Sequence, residues 1–181
     1  MRKIPTVFVR EGRHVVDEVT PGCEWVLNGY GVATEKLDGT NVRLTVRCGQ
    51  VVRVEARRNP SKDQKGVGIF EPWYRDAGGP TDKWITMAVE CTDVRDWPDG
   101  EHCCEAMGPK IQGNPLGLET PVCYPFNLRP PLAGKPGLTF EGMRAFVVNL
   151  DSTYSPGHVS EGLVFHHEDG RRAKIKQRDF E

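Results

Sequence analysis

The sequence predicts an α+β fold dominated by antiparallel strands, with two or three helices. Two observations carry the strands. Residues 41–47 alternate, with Val42, Leu44 and Val46 on one face and Asn41, Arg43, Thr45 and Arg47 on the other. That is the period of a half-buried strand. Residues 161–167 and 171–177 repeat the pattern around a turn at Glu168-Asp169-Gly170. A third observation carries the helices: Trp84, Ile85, Ala88 and Val89, and later Phe140, Met143, Phe146 and Val147, recur at helical spacing.

In chain order, residues 31–36 read as a short strand ending in Lys36. Cys48-Gly49-Gln50 is a turn, and Val52, Val54 and Ala56 continue an alternating return strand. Residues 40–58 are therefore a hairpin whose far end delivers Arg57 and Arg58. Residues 59–80, rich in Gly, Pro and charge, read as a loop. Thr81 is expected to cap a helix over 82–92. Residues 101–107 read as a strand carrying Glu105. Gly/Pro-rich sequence follows over 108–137, and Thr139 starts a second helix that contains Gly142. The expected organisation is a single domain over 1-181.

Hydrophobic residues make up 38% and charged residues 27%, the balance of an ordinary globular chain. No apolar run approaches the ~18 residues that a membrane span needs. Residues 1–5 carry no secretory pattern, so a cytoplasmic location is expected and no membrane partner is implied. The cysteines (Cys23, Cys48, Cys91, Cys103, Cys104 and Cys123) form no CxxC pair and are expected to be reduced core residues. The net charge is −1, but its distribution is uneven. Residues 43–65 hold seven cations against Glu55 and Asp63; residues 171–178 hold five and no acid. Two such segments suit a cleft for a polyanion, or two solvated strand faces.

The chemistry-bearing residues start at Lys36, in Glu35-Lys36-Leu37-Asp38-Gly39-Thr40-Asn41. A lysine is a nucleophile only when its amine is neutral. Gly39 permits a tight bend and a close backbone approach. Lys174 and Lys176, two apart on a strand, project to one face, and Glu161 begins the partner strand. A carboxylate and two lysines there form either a metal-and-phosphate clamp or a surface ion pair.

These segments resemble the covalent nucleotidyltransferase superfamily of ATP-dependent DNA ligases, RNA ligases and mRNA capping enzymes. Lys36 to Asn41 looks like motif I, with an RNA-ligase-like Gly-Thr-Asn ending. Glu161-Gly162-Leu163-Val164-Phe165 looks like motif IV, and Lys174-Ile175-Lys176 like motif V. Glu105-Ala106-Met107-Gly108-Pro109-Lys110-Ile111-Gln112 is similar to motif III of double-strand-type RNA ligases. Its Gly113-Asn114-Pro115 continuation resembles the small single-domain 5′-to-3′ RNA ligases, as does the opening Pro5 to Val9.

The resemblance implies an antiparallel-sheet-rich nucleotidyltransferase (adenylation) domain of the ATP-grasp-like ligase type, with no OB domain. It implies ATP and Mg2+, with Mn2+ as an alternative ion, and an RNA bearing 5′-phosphate and 3′-hydroxyl ends, joined in RNA repair. Lys36 is then the AMP acceptor and Glu105 contacts the ribose. Glu161 organises the metal and the lysine, and Lys174 and Lys176 bind phosphates. Asn41 and either Arg57 or Arg58 handle the AMP or 5′-phosphate end, and Glu35 places the adenine through its backbone. The resemblance also calls for an aromatic against the purine; Phe146, Tyr124 and Phe126 are candidates. His102, His166 and His167 are surface or cleft residues on the same footing. The rival readings are a DNA nick ligase and a non-catalytic nucleotide- or RNA-binding module. Oligomeric state is not readable.

Overall fold

The computed structural model describes residues 3–181. The reading of the extreme N-terminus as free of a secretory signal rests partly on residues 1 and 2, which lie outside the described residues. The element order is β1 (Phe8–Glu11), β2 (His14–Val19), α1 (Glu24–Leu27), β3 (Val32–Lys36), β4 (Thr40–Arg47), β5 (Gln50–Arg58), α2 (Lys62–Gly66), β6 (Trp73–Asp76), α3 (Lys83–Glu90), β7 (Gly100–Met107), β8 (Val122–Pro125), α4 (Phe140–Val148), β9 (Gly162–His166) and β10 (Arg172–Lys176). The mixed α and β composition with antiparallel sheets is as expected. Among the described residues no helix is long and apolar enough to cross a membrane.

The chain divides into two compact units. One contains Asp38–Arg129; the other joins Ile4–Leu37 to Pro130–Glu181. The chain leaves the second unit just after Lys36 and returns to it after Arg129.

The Asp38–Arg129 unit is built on a five-stranded sheet in the order β6-β5-β4-β7-β8. The predicted hairpin is β4 and β5, turned at Cys48 and Gly49, both in the left-handed region. Val42, Leu44 and Val46 are fully buried, as their alternation requires, and Val42 and Leu44 pack with Ala56, Ile85, Ala88 and Cys104. The return strand departs from its pattern. Val46 pairs with Val51 and Thr45 with Arg53, so Val52 is an extra bulged residue and is 60% exposed. A bulge shifts the facing of every residue beyond it by one, which strict alternation does not anticipate.

The expected loop over 59–80 contains two elements. Ser61 and Gln64 form a reciprocal cap that starts α2: Gln64 N–H donates to Ser61 Oγ at 3.2 Å and Ser61 N–H to Gln64 Oε1 at 2.9 Å. Trp73–Asp76 then pairs with β5, a long-range pairing that local composition does not report. Thr81 does not cap the next helix. Pro80 starts a 3-10 turn over Pro80–Asp82, which leads into α3 with Asp82 in the cap position. Within the Gly/Pro-rich stretch, Val122–Pro125 forms the edge strand β8.

In the other unit β10-β9-β3 form a three-stranded sheet and β1 pairs with β2. Leu163, Phe165, Ala173 and Ile175 face a core completed by Phe8, Trp25, Val26, Met143 and Val147. Thr139 caps α4 as predicted, accepting from Gly142 N–H at 3.1 Å. Gly142 is tolerated inside α4 because the helix meets Gly137 there; a Cβ would come within 3.0 Å of Gly137 Cα. The cysteines follow expectation at Cys23, Cys104 and Cys123, which are buried; Cys48 and Cys91 are exposed and so are not core residues.

Candidate active site

The order of the three-stranded sheet brings the predicted residues together. Gly162 on β9 pairs with Lys36 on one side and with Lys176 on the other. Val164 likewise pairs with Thr34 and Lys174. Because Ala33, Leu163, Phe165, Ala173 and Ile175 face the core, Lys36, Lys174 and Lys176 share the opposite face. Glu161, immediately before β9, places its carboxylate between the lysines: Oε2 accepts from Lys36 Nζ, and Oε1 pairs with Lys176 Nζ. Arg178 Nη2 lies 3.8 Å from the same Oε1.

Electrostatics follow from that crowding. Burial alone would raise the Glu161 carboxyl, but Lys36 and Lys176 outweigh it and hold it below the usual carboxylate range. Lys174 moves the other way. Burial, with Lys176 and Lys36 adding repulsion, lowers its amine to about 8. The strands therefore concentrate positive charge, part of it readily given up, on one half-buried surface around a single ionised glutamate.

Gly162 makes the arrangement possible. Its φ is +148°, and a Cβ there would lie 2.1 Å from Ile175 O and 2.7 Å from Lys176 Cα. Sequence inspection placed Gly162 within a motif but gave it no task; close strand approach is its task. Asp179, fully buried and paired with Arg10, accepts Lys176 N–H at 2.9 Å and fixes the end of β10.

Glu35 sits differently from Lys36. Its side chain is 2% exposed and turns to the core face, where Oε2 accepts from Thr153 N–H and Thr153 Oγ, both at 2.7 Å. Of the histidines, His166 Nε2 lies 3.0 Å from Thr34 Oγ1 on the lysine face. His167 packs against Trp25, and His102 is buried against Pro98 O at 2.7 Å. An apolar cavity of about 620 Å³ lies in the same unit, lined by Val26, Tyr30, Val32, Ala33, Leu132 and Phe165. It includes none of the predicted site residues.

In the Asp38–Arg129 unit the remaining candidates form one cross-strand row. Asn41 pairs with Glu105, Glu105 with Tyr124, and Arg57 with Tyr74. Their neighbours Val42, Ala56, Cys104, Ala106 and Cys123 face the core, so the row lies on the polar face. This separates the two arginines. Arg57 is on the Asn41 face; Arg58 is on the other and is committed to Asp82, which is 1% exposed. Arg43 makes two bonds to Glu55, at 2.7 and 2.9 Å, and so holds that carboxyl below its ordinary range. Gly39 has no room for a side chain, since a Cβ would come 2.3 Å from Ala106 O. Beyond Met107 the chain turns sharply through Lys110, Gln112, Gly113 and Asn114, all at positive φ. Of the aromatic candidates, Phe146 packs on a core in α4, Phe126 is covered by Arg129 at 4.4 Å, and Tyr124 stands beside Glu105.

Among the described residues no group of three or more His, Cys, Asp or Glu side chains is placed to hold a metal. Glu161 fits a divalent ion as one oxygen ligand, not as a cage.

No family model and no curated protein matches the chain. Solved structures do. Naegleria gruberi RNA ligase with PPi matches at 18% identity over 97% of this chain and 58% of that one, with a TM-score of 0.53. A variant of the same enzyme without ligand matches at 17% identity, 98% and 58% coverage and a TM-score of 0.54. Another variant, with ATP and Mn, matches at 17%, 97% and 58%, with a TM-score of 0.52. The chain has the fold of these RNA ligase structures. The likeness is one of fold, and the chain spans 58% of the length of the solved chains it matches.

Proposed function

We propose that the chain is an ATP-dependent RNA ligase acting in RNA repair, with residues 1-181 serving as its nucleotidyltransferase domain. The observation that supports this most is the cluster of Lys36, Lys174 and Lys176 around Glu161, within a fold shared with RNA ligase structures.

Lys36 is the nucleophile. Its amine, after giving its proton to solvent, attacks the α-phosphorus of ATP; an N–P bond forms, the α–β P–O bond breaks and pyrophosphate leaves. Glu161 orients that amine. Its lowered pKa makes it a weak base, so it positions the amine and does not keep the proton. Lys174 and Lys176 neutralise the phosphates, and an anion against Lys174 restores the proton that burial makes easy to lose. A divalent ion, when bound, would supply further charge neutralisation at the phosphates, and Glu161 is the residue that would hold it. The AMP then passes to an RNA 5′-phosphate, which frees Lys36. A 3′-hydroxyl attacks that 5′-phosphorus, and the phosphodiester forms as AMP departs. Asn41, Arg57 and Glu105 keep the assignments of the resemblance, toward phosphate and ribose; Arg58 is assigned to holding Asp82. Glu35 contributes to the adenine site through its backbone, its side chain being held by Thr153.

The substrate assignment is tested with ATP, Mg2+ and matched RNA and DNA strands bearing 5′-phosphates and 3′-hydroxyls. RNA strands are expected to be joined faster. Equal or faster joining of DNA would overturn the RNA assignment while leaving adenylation intact.

A further inference from the structure

Tyr74 belongs to a segment with no motif. It stands on the edge strand β6, paired with Arg57. Its ring does not stay over β6. It crosses β5, and its hydroxyl donates to Asn41 Oδ1 on β4 at 2.6 Å, with Cys103 Sγ on β7 at 3.5 Å. The Arg43 guanidinium covers the ring at 4.6 Å from its centroid. One tyrosine thus spans four strands of the polar face and ends on a residue of the Lys36-Leu37-Asp38-Gly39-Thr40-Asn41 segment.

The direction of the bond matters. An amide side chain has one acceptor end and one donor end, and the two are nearly the same shape. A phenol hydroxyl that donates to Oδ1 fixes which end is which. Burial, aided by the Cys103 contact, raises the Tyr74 phenol above its ordinary value, so the group stays protonated and keeps donating. Among the described residues, the Asn41 amide nitrogen makes one long contact, 3.4 Å to Cys104 O. It retains donor capacity for an acceptor in front of the sheet.

We propose that Tyr74 is a positioning residue that locks the Asn41 amide with its NH2 presented to an oxygen-rich ligand, a phosphate group of the nucleotide or of the RNA end. This rests on the ligase reading, because it gives Asn41 a ligand only if the face binds phosphates. Tyr74 itself touches no reacting atom.

The conservative variant Tyr74→Phe keeps the ring, and with it the Arg43 contact, while removing the hydroxyl. Lys36 labelling and AMP transfer to 5′-phosphorylated RNA are measured separately in single-turnover reactions. Wild type, Tyr74→Phe, Asn41→Ala and the double variant are compared. Tyr74→Phe is expected to slow at least one of the two transfers about five- to tenfold, the effect of losing one neutral hydrogen bond. The same substitution in the Asn41→Ala background is expected to change nothing further, since the group it positions is gone. Rates for Tyr74→Phe equal to wild type in both transfers would overturn the proposal. So would fully additive effects, which would mark Tyr74 as acting independently of Asn41. Failure of wild type to label at all would instead remove the ligase reading, and is read in the same experiment.

Discussion

Gly162→Ala is expected to disrupt the unit that contains the lysine cluster. The new methyl would sit 2.1 Å from Ile175 O and 2.7 Å from Lys176 Cα, both backbone atoms of β10. Neither is the far end of a flexible side chain, so relief requires β10 to move away from β9. The φ of +148° adds strain of its own. Overpacking and backbone strain each cost about 1–3 kcal/mol, so a combined loss of about 3 kcal/mol or more is expected. Gly157→Ala provides the comparison. Gly157 is also at positive φ, +86°, but has nothing within 4 Å of a Cβ. It is expected to lose only about 1 kcal/mol, from conformation alone. Urea denaturation of the two variants checks this; equal midpoints would show that β10 accommodates the methyl and that Gly162 is not needed for close approach.

Glu161→Gln is expected to damage both stability and activity. The side chain keeps its shape and loses its charge. Lys36, Lys174 and Lys176 then face one another without the carboxylate that neutralises them. Removing one member of a buried charged group costs about 3 kcal/mol at the low end of such effects. The pH dependence has a definite sign. Glu161 has a folded pKa below its ordinary 4.5, so its contribution is fully present above that value. It is lost as pH falls through the folded value. The stability gap between wild type and Glu161→Gln should therefore be large at neutral pH and close in acid. Activity should fall about a hundredfold or more, the scale for loss of a group that organises charge in the transition state. Denaturation at several pH values and a single-turnover labelling rate check both. A gap that does not vary with pH would contradict the placement of Glu161 among the lysines.

Strand periodicity and motif order were legible in the sequence. The hairpin of β4 and β5, the hairpin of β9 and β10, and the sharing of one face by Lys174 and Lys176 follow from a two-residue period. What the period does not contain is which strand lies beside which. The placement of Lys36 opposite Gly162 depends on β3 pairing with β9, more than a hundred residues away, and on a backbone approach that only glycine permits. The choice between Arg57 and Arg58 has the same origin. Both end a strand; core-facing Ala56 puts Arg58 on its own side, and Asp82, from a turn that looked like a helix cap, is the long-range partner that holds Arg58 there. Tyr74 was missed because β6 is a four-residue edge strand in a polar segment, where composition reads as loop. The Ser61 and Gln64 cap was present in the sequence and could have been found. Val52 could not, because a bulge leaves no mark in an alternating apolar run.

Lys36 is the atom-level centre of the proposed chemistry, and covalent capture of the nucleotide on it is the most direct measurement. The protein is incubated with α-labelled ATP and Mg2+, denatured, and freed of unbound nucleotide; retained label is mapped by peptide mass spectrometry. Acid-labile label on wild type at Lys36, and none on Lys36→Ala, is the expected result. No label on wild type, or equal label on Lys36→Ala, contradicts the lysyl-AMP assignment.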